Sequence, residues 1–172
     1  MDKDQAAFLQ ELLQDFRLEA AEHHQTVVHG LLSLEKSTGS DDRKATIENV
    51  FREIHSLKGA ARAVNQLDIE RLCQAMESVF HKLKLEQTVL TPVLSDTLIK
   101  GSSMLEIMIK EIGKSDPQVR PSDIMQFIQE LELSLKGHRD TVIQAPPPPV
   151  FQTVKNIPKP PAHKEVAHEA GL

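Results

Sequence analysis

Residues 47–64 read IENVFREIHSLKGAARAV, and the apolar side chains in this stretch recur at steps of three and four residues. They are Ile47, Val50, Ile54, Leu57, Ala61 and Val64. This spacing places all of them on one face of an α-helix, whereas a half-buried strand would need strict alternation of apolar and polar residues. The stretch therefore predicts an amphipathic helix that packs against other helices.

Other segments of the chain carry the same pattern, one before this stretch and three after it. The first segment has the row Leu9, Leu13, Phe16, Ala20, Val27, Leu31 and Leu34. The later segments have the rows Ile69, Leu72, Met76, Val79 and Leu83; Leu94, Leu98, Leu105, Met108 and Ile112; and Ile124, Phe127, Ile128, Leu131 and Leu135. Because short connections make sequential helices antiparallel, we expect an all-α fold: an antiparallel up-down four-helix bundle with an additional C-terminal helix.

Proline content divides the chain into two parts. Seven of the ten prolines lie within residues 146–161, a stretch that opens with four consecutive prolines. Polyproline segments are extended and cannot build a core. Gly137 is a plausible helix stop, so we expect a helical domain over residues 1–137 and a disordered proline-rich linker or tail over residues 138–172. A tail of this kind suggests that the chain is part of a longer protein.

Charge and composition narrow the range of functions. The net charge of −5 disfavours binding to a phosphate backbone or an anionic membrane, so we expect neither nucleic acid nor a membrane as a partner. The chain has no bilayer-length apolar run and no signal-peptide layout, which favours a cytoplasmic protein. It also has no glycine-rich phosphate loop, hence no ATP-binding or kinase motif, and whether it is an enzyme stays open.

The cysteine and histidine content does not indicate a metal site. Cys73 is the single cysteine, which excludes an intrachain disulfide and favours a place in the core. Metal sites in helical bundles typically use a repeated Glu-x-x-His motif, which this sequence lacks. We therefore expect no metal, a partly buried His23 on the apolar row of the first segment, and a His24 that lies off this row.

One histidine lies away from the apolar face of the 47–64 helix. At about 100° per residue, His55 projects about 130° from the centre of the apolar row and so faces solvent. Phe51 lies one turn before it, Lys58 and Gly59 lie one turn after it, and Arg62 lies two turns after it. Two cations beside a bare stretch of backbone suit an incoming anion. The same pattern also fits an ordinary surface histidine near a tolerated glycine.

A carboxylate on the next helix is expected beside this histidine. If the two helices form an antiparallel hairpin that turns near residue 66, His55 and Glu77 lie level, eleven residues on either side of the turn. A carboxylate that accepts from one imidazole nitrogen leaves the lone pair of the other free as a nucleophile. Lys58 is then placed to neutralise charge on an incoming phosphoryl group. Taken alone, Glu77 is more simply a solvated residue on a helix flank.

A resemblance to a known family rests on the run His55-Ser56-Leu57-Lys58-Gly59-Ala60-Ala61. This run resembles the His-x-x-Lys-Gly signature of histidine phosphotransfer (HPt) domains, most of all the N-terminal phosphoacceptor domain of chemotaxis-type histidine kinases. The similarity covers roughly residues 5–137. Arg62 and Gln74 depart from the pattern, because small residues often follow the Lys-Gly pair and a histidine sometimes precedes the glutamate by one turn.

The resemblance implies a role for each residue of the candidate site. His55 would be the phosphorylated residue, Glu77 the residue that orients its imidazole, and Lys58 the charge partner of the phosphoryl group. Gly59 would be the small residue beneath a docking partner, with Phe51 and Arg62 on the same docking face.

The function implied is that of a phosphorelay carrier in two-component or chemotaxis signalling, either as the phosphoacceptor module of a larger histidine kinase or as a separate relay protein. A histidine kinase catalytic domain would transfer the γ-phosphoryl group of ATP to His55, and an aspartate of a response-regulator receiver domain would remove it. ATP and Mg²⁺ would be held by those partner domains, so no cofactor is expected in this chain. The alternative is a non-catalytic helical module for docking or dimerisation, in which His55 is incidental.

Overall fold

A computed structural model describes residues 3–36 and 39–142 of the chain. Within these ranges it contains five helices and no strand, which confirms the expected all-α class. The helices are α1 (Lys3–Lys36), α2 (Ser40–Ala63), α3 (Leu67–Lys84), α4 (Pro92–Lys110) and α5 (Pro121–Val142). The predicted proline-rich tail lies outside the described residues from position 143 onward.

The first four helices form the predicted up-down bundle. Helix α1 packs against α2 and α4, and α3 packs against the same two helices, so the four helices form a closed ring. Cross-helix contacts show the antiparallel course, because His23 and Gly30 of α1 meet Glu53 and Val50 of α2 in reversed order. Helix α5 packs against α3 and α4, which confirms the additional C-terminal helix.

The helix boundaries follow from local sequence at most ends. The Thr91 side chain accepts a hydrogen bond from the backbone N–H of Leu94 at 3.1 Å, and Pro92 occupies the first turn of α4. The stop expected at Gly137 is wrong, because α5 continues to Val142. A glycine inside a helix costs only about 1 kcal/mol, so it does not by itself end one. The domain boundary placed at this residue stays a prediction.

The bundle core is formed by the predicted apolar rows. Most of their residues are buried, and Cys73 is buried with them as expected. Val64, Met108, Ile112, Ile128 and Leu135 are only partly buried, at the edge of the core. Phe80, which the rows omit, is fully buried as well. Two glycines let helices approach closely: a Cβ on Gly30 would collide with Val50, and one on Gly101 would collide with Phe127.

The N-terminal turns of α1 extend beyond the bundle. Helix α1 has 34 residues and α2 has 24, so α1 is about 15 Å longer at 1.5 Å per residue. Leu9 was expected in the core but is exposed, as are Phe8 and Leu12, and Phe16 is the first buried residue of the helix. Among the described helices, none combines the length and apolarity needed to cross a membrane.

Candidate functional site

The site lies on the α2/α3 hairpin, where five of the residue pairs that meet across the two helices lie level with each other. The pairs are Glu48–Lys84, Phe51–His81, His55–Glu77, Lys58–Gln74 and Arg62–Glu70. Each pair is symmetric about residue 66, which confirms the register expected from a turn at this position. Asn65 makes the turn in the left-handed region with φ of 59°, a conformation that asparagine adopts more readily than most residues.

His55 and Glu77 form the centre of this hairpin face. The Nδ1 atom of His55 lies 2.7 Å from Oε1 of Glu77, and the side chains are 63% and 10% exposed respectively. An ionised carboxylate only accepts hydrogen bonds, so Nδ1 carries a proton, and in the neutral imidazole Nε2 then carries the lone pair. No group among the described residues hydrogen-bonds to Nε2. The geometry therefore leaves one imidazole nitrogen available as a nucleophile.

Glu77 binds a second donor on the other carboxylate oxygen. The Lys58 ammonium lies 2.5 Å from Oε2 of Glu77 and also donates to Oε1 of Gln74 at 3.2 Å. Burial raises the pKa of Glu77, but the hydrogen bonds from Lys58 and His55 outweigh it and hold the pKa below its ordinary value. Glu77 is thus an ionised, nearly buried anchor that holds both residues in place.

The three predicted docking residues lie on the same face in different settings. Gly59 is exposed, and a Cβ at this position would meet no atom within 4 Å, so packing within the chain does not require glycine. Arg62 is 79% exposed and lies 3.9 Å from Glu70. Phe51 is half-buried, and its ring stacks on His55 with 6.2 Å between ring centroids. Their docking role stays a prediction.

A second histidine–glutamate pair lies between α1 and α2. The Nδ1 atom of His23 lies 2.7 Å from Oε2 of Glu53, as close as in the His55 pair. Only 23% of the His23 side chain is exposed, and its Nε2 atom lies 3.7 Å from a carboxylate oxygen of Glu19. The partial burial predicted for His23 is confirmed. Because a carboxylate near Nε2 repels anions, His23 is poorly placed to receive a phosphoryl group.

The expectation that His24 lies off the apolar face is wrong. His24 is buried, and its Nε2 atom lies 2.8 Å from the backbone oxygen of Ser102 and 3.0 Å from the hydroxyl of the same residue. Ser102, which is itself buried, makes both contacts from α4. Within the described ranges, no group of three or more His, Cys, Asp or Glu side chains could hold a metal ion.

Two contacts of the site were missed in the sequence. Lys58 was expected to face an incoming group, yet it is already bound to Glu77 and Gln74. Phe51 was expected only as a docking residue, yet it stacks on His55. The symmetry about residue 66 that identified Glu77 also pairs Lys58 with Gln74 and Phe51 with His81, one helical turn to either side. It does not pair Lys58 with Glu77 or Phe51 with His55.

An exposed histidine on a helical bundle, held by a buried carboxylate and flanked by a lysine, is the arrangement expected of a histidine phosphotransfer module. The family model described as the Hpt domain matches residues 11–114 of this chain. The chain belongs to the Hpt domain family, which confirms the resemblance seen in the sequence.

Curated relatives are longer signalling proteins. The chain is 22% identical to the sensor histidine kinase CheAY of Helicobacter pylori over 80% of its own length and 18% of that protein. It is 28% identical to the chemotaxis protein CheA of Listeria monocytogenes over 76% of its length and 20% of that protein. It is 32% identical to a gliding motility regulatory protein of Myxococcus xanthus over 64% of its length and 14% of that protein. The chain thus spans a fifth or less of these relatives.

Proposed function

We propose that this chain carries a phosphoryl group on Nε2 of His55, between a histidine kinase catalytic domain and a receiver domain. The observation that carries the proposal is the contact between His55 and Glu77. It combines an exposed imidazole with a buried, ionised carboxylate at 2.7 Å. Family membership and relatives named as a histidine kinase and as chemotaxis proteins support the same role.

The first step is an in-line displacement at the γ-phosphorus of ATP. The Nε2 lone pair of His55 forms the N–P bond while the P–O bond to ADP breaks, and ADP leaves with that electron pair. The imidazole gains positive character as the N–P bond forms, and Glu77 stabilises it through the Nδ1–H hydrogen bond. The proton stays on Nδ1, so Glu77 orients and stabilises without taking a proton away.

In this mechanism Lys58 offsets the negative charge of Glu77. The carboxylate of Glu77 would repel an incoming phosphoryl group, and the ammonium of Lys58 at 2.5 Å offsets that negative charge. Its side chain is 21% exposed, so the ammonium can also face the phosphoryl oxygens from the edge of the site.

The second step returns the histidine to its starting state. A receiver-domain aspartate attacks the phosphorus, the N–P bond breaks, and its electron pair returns to Nε2. Partner domains supply ATP, Mg²⁺ and the acidic pocket, since the sequence of this chain has no nucleotide-binding motif. The cytoplasm, where ATP is available to the kinase domain, is the compartment we propose.

The test uses a histidine kinase catalytic domain that phosphorylates the wild-type chain, with radiolabelled ATP. We expect label on the wild type and none on His55→Gln. The matched control is His23→Gln, which removes a histidine with an equally short glutamate contact on the same helix bundle. It should keep the label. Equal labelling of His55→Gln and wild type, with both proteins folded by circular dichroism, would place the label on another residue and refute His55 as the phosphoacceptor.

A further inference from the structure

The hydrogen bond that Nδ1 of His55 donates to Glu77 fixes only one atom of the His55 ring. A ring held at Nδ1 alone can still swing about that bond, and the direction of Nε2 changes with it. Phe51, one helical turn earlier on α2, blocks rotation of the ring toward one side. The two rings lie 6.2 Å apart between centroids with 23° between their planes, within the range of offset aromatic stacking.

Phe51 is itself held from the α3 side. The His81 ring lies 6.0 Å from the Phe51 ring at an angle of 41°, and the Lys84 ammonium lies 5.1 Å from the Phe51 centroid. This distance suits a cation–π contact. Lys84 is also fixed by an ion pair with Glu48 at 2.7 Å. Phe51 is also half-buried against the core. Its ring is therefore held in a fixed position beside the His55 imidazole.

We infer that Phe51 is a positioning residue for phosphoryl transfer, one that holds the plane of the His55 imidazole so that Nε2 points outward. His81 and Lys84 hold Phe51 in turn. The inference rests on the proposed function of His55 and adds a second constraint to the one supplied by Glu77. It assigns Phe51 a role that needs no contact with a partner protein.

A small phosphoryl donor separates positioning from docking. Phosphoramidate transfers its phosphoryl group to imidazole without a protein: the N–P bond to ammonia breaks, ammonia leaves, and the N–P bond to Nε2 forms. A docking residue would not affect this reaction, because no partner surface is involved. Loss of a positioning residue would slow it, since a smaller fraction of imidazole orientations would then present Nε2 to the donor.

The central variant is Phe51→Leu, which keeps an apolar side chain at the core edge but removes the aromatic face. We expect labelling of His55 by phosphoramidate to slow by about threefold to tenfold, because the ring regains staggered orientations that Phe51 excludes. With the kinase domain, kcat should fall while KM changes little. Phe51→Tyr, which restores the ring, should recover most of the rate. The matched control is Phe8→Leu at an exposed position of α1, which should leave the rate unchanged.

Two further variants keep the inference testable if Phe51→Leu does not fold. His81→Ala and Lys84→Met remove supports of Phe51 without altering Phe51, His55 or Glu77, and each should slow phosphoramidate labelling by a smaller factor, about twofold. Unchanged phosphoramidate labelling in folded Phe51→Leu, or in both support variants, would overturn the positioning role. Absence of phosphoramidate labelling in the wild type would overturn it too. If phosphoramidate labels the wild type but the kinase domain does not, the proposed function alone would be refuted.

Discussion

His55 and Glu77 lie at equal distances from the α2/α3 turn, and their contact joins the exposed surface of the bundle to its interior. The imidazole is 63% exposed, and the carboxylate that accepts from its Nδ1 atom is 10% exposed. A buried group has little freedom to move because its neighbours are packed around it. Glu77 therefore extends the rigidity of the core to an imidazole that stays exposed at the surface.

Replacement of Glu77 by glutamine is expected to slow phosphorylation of His55. The neutral amide no longer stabilises the positive imidazole, and it can bind Nδ1 through either its oxygen or its nitrogen. A lost charged hydrogen bond of about 1.5–3 kcal/mol in the transition state corresponds to a rate about tenfold to a hundredfold lower. The measurement is the initial rate of labelling by the kinase domain. An unchanged rate in a folded variant would mean that Glu77 is only a structural partner of Lys58.

Lys58→Met should also slow phosphorylation, by about twofold to tenfold. The reason is electrostatic, because the charge of Glu77 is no longer offset when the phosphoryl group arrives. The rate deficit should shrink as salt is raised, since salt screens charges at partly exposed sites. In the double variant Lys58→Met with Glu77→Gln, the loss should be smaller than the product of the two single losses. A deficit that does not respond to salt, or strictly multiplicative effects, would exclude this charge-offset role.

Much of this site was accessible from sequence because it depends on one hairpin. Helical periodicity located α2 and α3, and the short turn near residue 66 set their register, so His55 and Glu77 could be paired. Predicting the ion pair between Lys58 and Glu77 requires the same register. It also requires the conformation of the long, flexible lysine side chain, which the register does not give. The stack of Phe51 on His55 depends on side-chain rotamers, which periodicity does not report.

The burial of His24 and the exposure of Leu9 were predicted wrongly, because both depend on parts of the fold that are distant in sequence. His24 is buried because it meets Ser102 on α4, 78 residues away, and no local pattern indicates that contact. Leu9 is exposed because α1 is longer than the helices beside it. The apolar row of α1 does not report how far the neighbouring helices extend. Helix periodicity gives the direction of a side chain, and packing partners decide whether that direction is covered.

Acid should weaken the contribution of Glu77 to stability. Burial raises its pKa and the hydrogen bonds from Lys58 and His55 lower it more, so the folded pKa lies below the ordinary value of 4.5. A depressed carboxyl pKa stabilises the folded state above the unfolded value, and this contribution is lost as pH falls through the folded pKa. Urea unfolding of the wild type and Glu77→Gln should therefore differ at pH 7 and converge below pH 4.5. A difference that grows on acidification would contradict the sign of this pKa shift.

Gly59→Ala is expected to separate the stability of the chain from its use by a partner. Gly59 lies inside α2, where alanine is favoured by about 1 kcal/mol, and the added Cβ meets no atom within 4 Å. The variant should melt about 3 °C higher. Labelling by phosphoramidate should be unchanged, while KM for the chain as substrate of the kinase domain should rise if the partner backbone approaches at this residue.

Gly101→Ala is the matched control, because it is the same change on a helix whose glycine is closely packed. Its Cβ would collide with the Phe127 ring, so the variant should lose about 1–3 kcal/mol of unfolding free energy. KM for the kinase domain should not change, since Gly101 is buried between α4 and α5. An unchanged KM for Gly59→Ala would show that no partner approaches the bare backbone beside His55. A loss of stability in Gly59→Ala would contradict the open space around a Cβ at that position.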